Sequence, residues 1–419
     1  ATPVLADMDG DGALDIIIGN RIQQAGSKLF AINGSGQAIN GFPVNVDGGI
    51  EAAAAVLYGA SGKVDMIYVG TLAGSLYGFN SQGEQLFRRG LGSAVRCAPV
   101  VGRMGLPGED ESFRVCAFTE DGKIWSFDSL GTIQPGWPVE TGGSCLAGGA
   151  IGDVDGDGLN ELTVPVDFPD STAPGKHKLY VLNYNGSSPA GFPIRVGSPM
   201  AYPEPRYLSA PTLADLNGNG AQEIIIATRG RLALAYSGEG SPRPVARFIL
   251  GSNAVAAPVA ADLDGDGRLD VLCADGEGYL YAYSTGSQEL VSQWNGLGGG
   301  PTRSGLSLRV QRSPGFSSSE EILPEQYCFV YPNPVRGSWA YLTYRLGKND
   351  VRKLTVKVYT TSGETVESLQ GGTAAADGLS NQVAWNVDRY ASGVYLLLVK
   401  AESASSGTAK LVRKFAVIK

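Results

Sequence analysis

One phrase, a strand of alternating bulky residues that ends in a polar turn, recurs six times at intervals of roughly fifty residues and limits this chain to a repeat architecture. Its copies are KLFAINGSG (28–36), SLYGFNSQG (75–83), KIWSFDSLG (123–131), KLYVLNYNG (178–186), RLALAYSGEG (231–240) and YLYAYSTG (279–286). A second phrase precedes each copy: LDIIIG (14–19), VDMIYVG (64–70), FRVCAF (113–118), NELTVPV (160–166), QEIIIAT (222–228) and LDVLCA (269–274). A third follows three of them, as GFPVNV (41–46), GWPVE (136–140) and GFPIRV (191–196). A fourth opens five units: ATPVLAD (1–7), RCAPVVG (96–102), LAGGAIGD (146–153), SAPTLAD (209–215) and AAPVAAD (256–262). Each unit therefore reads as four short strands joined by Gly, Asn and Asp turns. Helical spacing is absent from the first 300 residues.

Four strands per unit describe one blade of a β-propeller. A single blade cannot bury both faces of its sheet, so neighbours must stack into a ring. The opening phrase, rich in Ala, Gly and Pro, is expected at the crowded axis. Six units predict six blades, with a seventh if sequence precedes Ala1. No strand before Ala1 is present to complete the last blade.

Composition supports many tight turns and narrows the function. Gly accounts for 59 of 419 residues without a collagen period, while 43% of the chain is hydrophobic and only 18% charged, which excludes disorder. The net charge of -8 leaves nothing to neutralise phosphates, so no nucleic-acid partner is expected. No apolar run is long enough for a transmembrane helix. The single histidine, His177 in PGKHKLY, removes most metal-hydrolase and Ser/His/Asp chemistry and is expected in an exposed loop. Cys97, Cys116, Cys145, Cys273 and Cys328 form no CxxC pair, so they read as small core residues, with Cys97 and Cys116 a pair that would oxidise outside the cell. The chain opens at Ala1 without a basic n-region or an apolar h-region. Either a signal peptide has been removed or the chain is a fragment of a longer protein.

Four units carry one nine-residue acidic pattern between their first and second strands. It comprises Asp7, Asp9, Asp11, Ala13 and Asp15 in unit one, and Asp153, Asp155, Asp157, Leu159 and Glu161 in unit four. Unit five has Asp215, Asn217, Asn219, Ala221 and Glu223, and unit six has Asp262, Asp264, Asp266, Arg268 and Asp270. Oxygen side chains fall at positions 1, 3, 5 and 9, a backbone carbonyl is available at position 7, and Gly12, Gly158, Gly220 and Gly267 stand at position 6. The first part of an EF-hand loop uses the same spacing. Carboxylates this crowded repel one another unless a hard cation sits among them, and a flexible all-oxygen loop suits Ca²⁺ better than Mg²⁺. Up to four Ca²⁺ ions are expected, bracing loops and not performing catalysis, with the Asn-containing loop weakest. Unit two has lost the pattern (LYGASGKVD, 57–65), and unit three replaces it with GRMGLPGEDES (102–112), whose Glu109, Asp110 and Glu111 read as a solvated loop tip.

These loops, with GFPVNV, GWPVE and GFPIRV, resemble the FG-GAP (integrin-α-type, VCBS-like) propeller family over about residues 1–300. The resemblance implies an extracellular or surface-exposed propeller with Ca²⁺ on its blade loops. It implies no single function, because relatives bind proteins or glycans, serve as spacers, or sit inside secreted hydrolases and lyases. The LYAYSTG phrase is similar to quinoprotein repeats, but no blade has their tryptophan docking pattern or adjacent cysteines, so no quinone cofactor is expected.

The pattern changes after Trp294. Residues 1–310 are assigned to the propeller, 311–326 (QRSPGFSSSEEILPEQ) to an exposed linker, and 327–419 to an Ig-like β-sandwich of about seven strands. LTVKVYT (354–360) places Leu354, Val356 and Val358 on one face, and VYLLLVKA (394–401) reads as a more buried strand. Tyr331-Pro332-Asn333-Pro334, TSGETV (361–366), ASGVYLLLV (391–399) and the terminal KFAVIK (414–419) resemble the C-terminal sorting domains of type IX secretion and flagellar hook-capping Ig-like domains. That resemblance implies partnership with a secretion machine and a final location outside the cell or on the outer surface of a Gram-negative-type bacterium.

The expected function is a Ca²⁺-stabilised, non-enzymatic binding or adhesion module for a protein or glycan ligand, with Trp125, Trp137 and Tyr202 as candidate contacts. Two alternatives stand beside it. One is an accessory part of a secreted lyase or protease whose catalytic domain precedes Ala1, and the other is a structural protein of a surface layer or appendage.

Overall fold

The computed structural model describes residues 1–21, 26–59, 62–105, 113–168, 177–196, 209–228, 231–263, 268–287, 306–307, 322–323, 328–331, 333–348, 350–373 and 380–419. Every regular element among them is a β-strand. The first six sheets follow the six units. Their first strands are Val4–Ala6, Ala55–Tyr58, Val100–Arg103, Ala150–Gly152, Thr212–Ala214 and Val259–Ala261. Strands pair antiparallel in chain order within each sheet, four per sheet in blades one, two, four and five and three in the described part of blade six. Blade three gains a fifth strand that the repeat does not foreshadow. Leu306–Ser307 pairs parallel with Val101 and Gly102 of the first strand, and it also lies against the first strands of blades two and four.

The recurrent polar turn forms because its Asn or Asp closes the chain on itself. Asn33 Oδ1 accepts the Ser35 and Gln37 N–H groups at 3.2 and 2.9 Å, and Asp128 Oδ1 accepts those of Leu130 and Thr132 at 2.9 and 2.8 Å. The Gly-aromatic-Pro corners clasp the next blade. Gly41 and Gly136 have φ of 87° and 85°, and a Cβ there would lie 1.7 Å from the Gln82 carbonyl oxygen and 2.0 Å from that of Asn185. Trp137 Nε1 completes its corner by donating to the Tyr184 carbonyl at 3.0 Å.

Four hydrophobic clusters fill five seams. They join blade one to two, two to three, three through four to five, and five to six. Each cluster follows from period-two alternation: Val4, Ala6, Ile17, Leu29 and Ala31 turn toward blade two, and Ala260, Val271, Cys273 and Tyr283 toward blade five. The sixth seam differs. On the other face of blade one Ile16 is 40% exposed, and on the other face of blade six Val259 and Leu280 are 38% and 70% exposed. Among the described residues no cluster bridges blade six and blade one. Thr2 and the segments that enter the other five first strands surround a cavity of about 500 Å³, so all six blades contribute to its lining. The small opening-phrase residues Ala98, Gly149, Ala210 and Ala257 are part of that lining, as is Ala53 ahead of the first strand of blade two.

The C-terminal part is a sandwich of a three-stranded and a four-stranded sheet. Leu354, Val356 and Val358 are buried as their alternation requires, and they meet Val383 and Trp385 of the opposite sheet. The strand Gly393–Ser403 is less uniformly buried than its apolar run suggests, since Tyr395, Leu397, Val399 and Ala401 face the core while Val394 is exposed. TSGETV forms the expected hairpin, with Gly363 at φ 90° and its N–H bonded to the Thr360 carbonyl at 3.0 Å. Ile322 and Leu323, assigned to the linker by composition, pack into the sandwich core instead. Their apolar side chains decide their place, against the polar residues around them.

Candidate metal centre

In the blades that carry the pattern, the first strand runs from the cavity lining to the acidic loop. Thr2 lines the cavity and Asp7 follows the strand Val4–Ala6, while Gly149 lines it and Asp153 follows Ala150–Gly152. The cavity lining and the acidic loops therefore lie at opposite ends of these first strands.

In the first loop both Asp7 carboxylate oxygens accept backbone N–H groups, from Gly10 at 2.7 Å and Gly12 at 3.1 Å. Asp9 and Asp11 accept from Asp11 and Ala13 at 3.2 and 2.7 Å, and Asp15 Oδ2 accepts from Met8 at 2.9 Å. The fourth loop repeats this wiring. Asp153 accepts from Gly156 and Gly158 at 2.7 and 2.9 Å, Asp155 and Asp157 from Asp157 and Leu159 at 3.2 and 2.7 Å, and Glu161 Oε2 from Val154 at 3.1 Å. The glycines at position 6, Gly12 and Gly158, have φ of 84° and 92°.

This folding brings carboxylate oxygens of Asp7, Asp9 and Asp15 within 4.8 Å of one another, and those of Asp153, Asp155 and Glu161 likewise. Asp11 and Asp157 stand outside those groupings and instead bind the N–H groups of Ala13 and Leu159. The electrostatics fit a cation. Burial raises the Asp15 carboxyl, and Asp9, Asp11 and Asp7 raise it further. Burial, with Asp157 and Asp153 adding to it, also raises Asp155. Glu161, 2% exposed, is pushed up to about 9, first by burial and then by Asp155, Asp157 and Asp153. A hard divalent cation among these oxygens would reverse that penalty.

The fifth loop shares the backbone but not the charge. Asp215 accepts from Gly218 and Gly220 at 2.6 and 2.7 Å, Asn219 Oδ1 from Ala221 at 2.8 Å, and Glu223 Oε2 from Leu216 at 2.7 Å. Asn217 Nδ2 donates to Glu223 Oε1 at 2.8 Å, so an amide stands where the other loops have a carboxylate. In the sixth loop Asp270 Oδ2 accepts from Leu263 at 3.0 Å, Asp262 and Arg268 are partly buried, and Asp264 and Asp266 lie outside the described residues.

Two contacts were not visible in the sequence. The Val64 N–H of blade two donates to the Asp7 carbonyl at 2.9 Å, and the Gln222 N–H of blade five donates to the Asp153 carbonyl at 3.0 Å. The first residue of an acidic loop thus anchors the next blade. The only trace in the sequence is that the second phrase of the following unit begins at that point.

Other expectations need correction. His177 is not an exposed loop residue: it begins the strand His177–Leu182, is 5% exposed, and its Nδ1 lies 2.5 Å from Asp167 Oδ1 on the adjacent strand. The Asp167 carboxylate gives the buried imidazole a partner, which a local reading of PGKHKLY does not reveal. All five cysteines are buried, and Cys97 faces Cys145, not Cys116, with its Sγ 3.5 Å from the Cys145 carbonyl oxygen. Trp137 is a seam residue at 7% exposure, Trp125 stacks on Phe127, and Tyr202 lies outside the described residues, as do Glu109, Asp110 and Glu111.

Repeated four-stranded sheets around an axis, followed by a two-sheet sandwich, define an all-β propeller protein with an appended sandwich domain. Residues 215–273 match the family model of the FG-GAP-like repeat, and residues 329–414 match that of the secretion system C-terminal sorting domain. The chain carries both modules, and the second is the sorting domain of type IX secretion that its motifs resemble. A sorting domain marks the protein for export to the cell surface or the medium and implies contact with the secretion machinery. No curated protein matches the chain. Among solved structures, BBS1N in complex with ARL6DN, soaked with lead, is 16% identical over 70% of this chain and 81% of that one, with a TM-score of 0.46. The same complex soaked with mercury gives 14% identity over 69% and 80%, with a TM-score of 0.45. BamB from Moraxella catarrhalis gives 12% identity over 97% and 95%, with a TM-score of 0.40. Among the described residues no helix is long and apolar enough to cross a membrane.

Proposed function

We propose that this exported propeller is a Ca²⁺-braced, non-enzymatic binding module that works at the outer surface of a Gram-negative-type bacterium. The observation that carries the reading is the pair of acid clusters, Asp7/Asp9/Asp15 and Asp153/Asp155/Glu161, each in a loop whose first carbonyl anchors the next blade. Those residues, with Asp262 and Asp270 of blade six and more weakly Asp215 and Glu223 of blade five, would hold Ca²⁺. The ion would supply charge neutralisation and a cross-link between strand ends. The protein's own contribution is the preset loop, in which backbone N–H groups hold the carboxylates in place.

The ligand end is the cavity mouth, away from the acidic loops. Leu146 and Val255 on its lining are 40% and 62% exposed, and Tyr279 in the second turn of blade six is 60% exposed. An apolar and aromatic rim of this kind suits a protein or glycan surface. The test presents the intact chain, with Ca²⁺ and with chelator, to arrays of glycans and cell-surface proteins. Ca²⁺-dependent retention that is lost in Tyr279→Ala supports the reading. Absence of retention on both arrays overturns the binding role.

A further inference from the structure

We propose that Cys97 and Cys145 form a disulfide that ties blade three to blade four when the chain folds in an oxidising compartment. The two residues stand in consecutive units, three and five residues ahead of the first strands Val100–Arg103 and Ala150–Gly152. The Cys97 thiol points at residue 145 and donates to its carbonyl at 3.5 Å. Both side chains belong to one buried cluster that spans blades three, four and five. Burial, and after it the neighbouring Cys145, pushes the Cys97 thiol up. The other cysteines have different surroundings: Cys116 pairs with Ser126 within its own sheet, Cys273 packs in the seam of blades five and six, and Cys328 lies in the sandwich core. Export takes the chain through a compartment where thiols are oxidised.

The step requires a disulfide-bearing oxidant, either a protein disulfide or a low-mass one. The Cys97 thiolate attacks one sulfur of the oxidant, breaking its S–S bond and releasing one thiol. The Cys145 thiolate then attacks Cys97 Sγ in the mixed disulfide and displaces the second thiol. Two protons and two electrons leave the protein, and the oxidant ends as two thiols. The timing follows from burial. Cys145 is fully buried in the finished ring, and Cys97 reaches only the cavity lining. Closure therefore precedes the packing of blade four on blade three, and the completed ring protects the bond from exchange. The bond would close a loop spanning the 48 positions that separate the two cysteines. A loop of that size gains substantially from cross-linking, because the unfolded chain loses much of its freedom.

The test refolds the full chain in a mixture of reduced and oxidised glutathione, alkylates it in denaturant and maps its peptides. The expected result is a Cys97–Cys145 cross-linked peptide with alkylated Cys116, Cys273 and Cys328, and a melting temperature roughly 5–10 °C above that of the reduced protein. The Cys145→Ser variant is expected to lose both the cross-link and the redox dependence of melting. Five alkylated thiols, or a bond from Cys97 to Cys116, overturns the proposal. Peptide mapping of the unsubstituted chain decides this even if Cys145→Ser fails to fold.

Discussion

The loops of blades four and five share a backbone and differ in charge. In both, the first Asp accepts two glycine N–H groups at 2.6–2.9 Å, and the final Glu accepts the N–H of the loop's second residue. At position 3, however, blade four has Asp155 within a three-carboxylate cluster, while blade five has Asn217 donating to Glu223 at 2.8 Å. The comparison shows that the turn itself is built by hydrogen bonds and glycines, which both loops have. What separates them is an electrostatic debt: Glu161 is buried beside three aspartates, whereas the fifth loop answers its glutamate with an amide. On the proposed Ca²⁺ reading, a cation therefore matters more to blade four than to blade five.

The largest expected effect is chelation. A site held at a thousandfold excess of Ca²⁺ over its Kd contributes about 4 kcal/mol to the folded state. Stripping the ions should therefore lower the melting temperature of the propeller by roughly 10 °C, and added Ca²⁺ should restore it. An unchanged melt would erase the distinction between the loops.

Single substitutions sharpen it. Asp155→Asn makes blade four resemble blade five and should weaken its Ca²⁺ affinity by roughly tenfold or more, read by terbium luminescence displaced by Ca²⁺. Asn217→Asp does the converse and should tighten the fifth site by about tenfold. If both variants leave affinity unchanged, ligand charge is not what divides the two loops.

A smaller effect concerns protons. Without metal, Glu161 titrates near 9 in the folded chain against its usual 4.5, so between those values the metal-free fold holds a proton that the unfolded chain does not. This group makes the metal-free fold less stable as pH rises through that window. Ca²⁺ binding at neutral pH should expel the proton, so affinity for the ion should weaken as pH falls below about 9. Calorimetry at pH 7 in buffers of different ionisation enthalpy should show up to about one proton released at this loop and none after Glu161→Gln. Equal heats in all buffers would contradict the assignment.

What was legible in the sequence was local. The blade strands follow from period-two alternation, the turns from Asn33 or Asp128 closing on their own backbone, and the acid loops from fixed spacing. What was not legible depends on residues far apart in the chain. His177 is buried because Asp167 faces it across a strand pair, and Cys97 meets Cys145 because blades three and four stack. Leu306–Ser307 pairs with blade three although about two hundred residues intervene, and nothing in its own sequence signals that destination. The exposed Val259 and Leu280 belong to the same class, since alternation makes a strand face apolar without saying whether another sheet covers it.

The most direct test is a calorimetric Ca²⁺ titration of the chelator-stripped chain. Tight binding that loses one equivalent in Asp7→Asn/Asp9→Asn and another in Asp153→Asn/Asp155→Asn, with a weaker step assigned to blade five, is the predicted result. A titration without binding heat in any buffer, matched by a melt that Ca²⁺ does not move, would contradict the account.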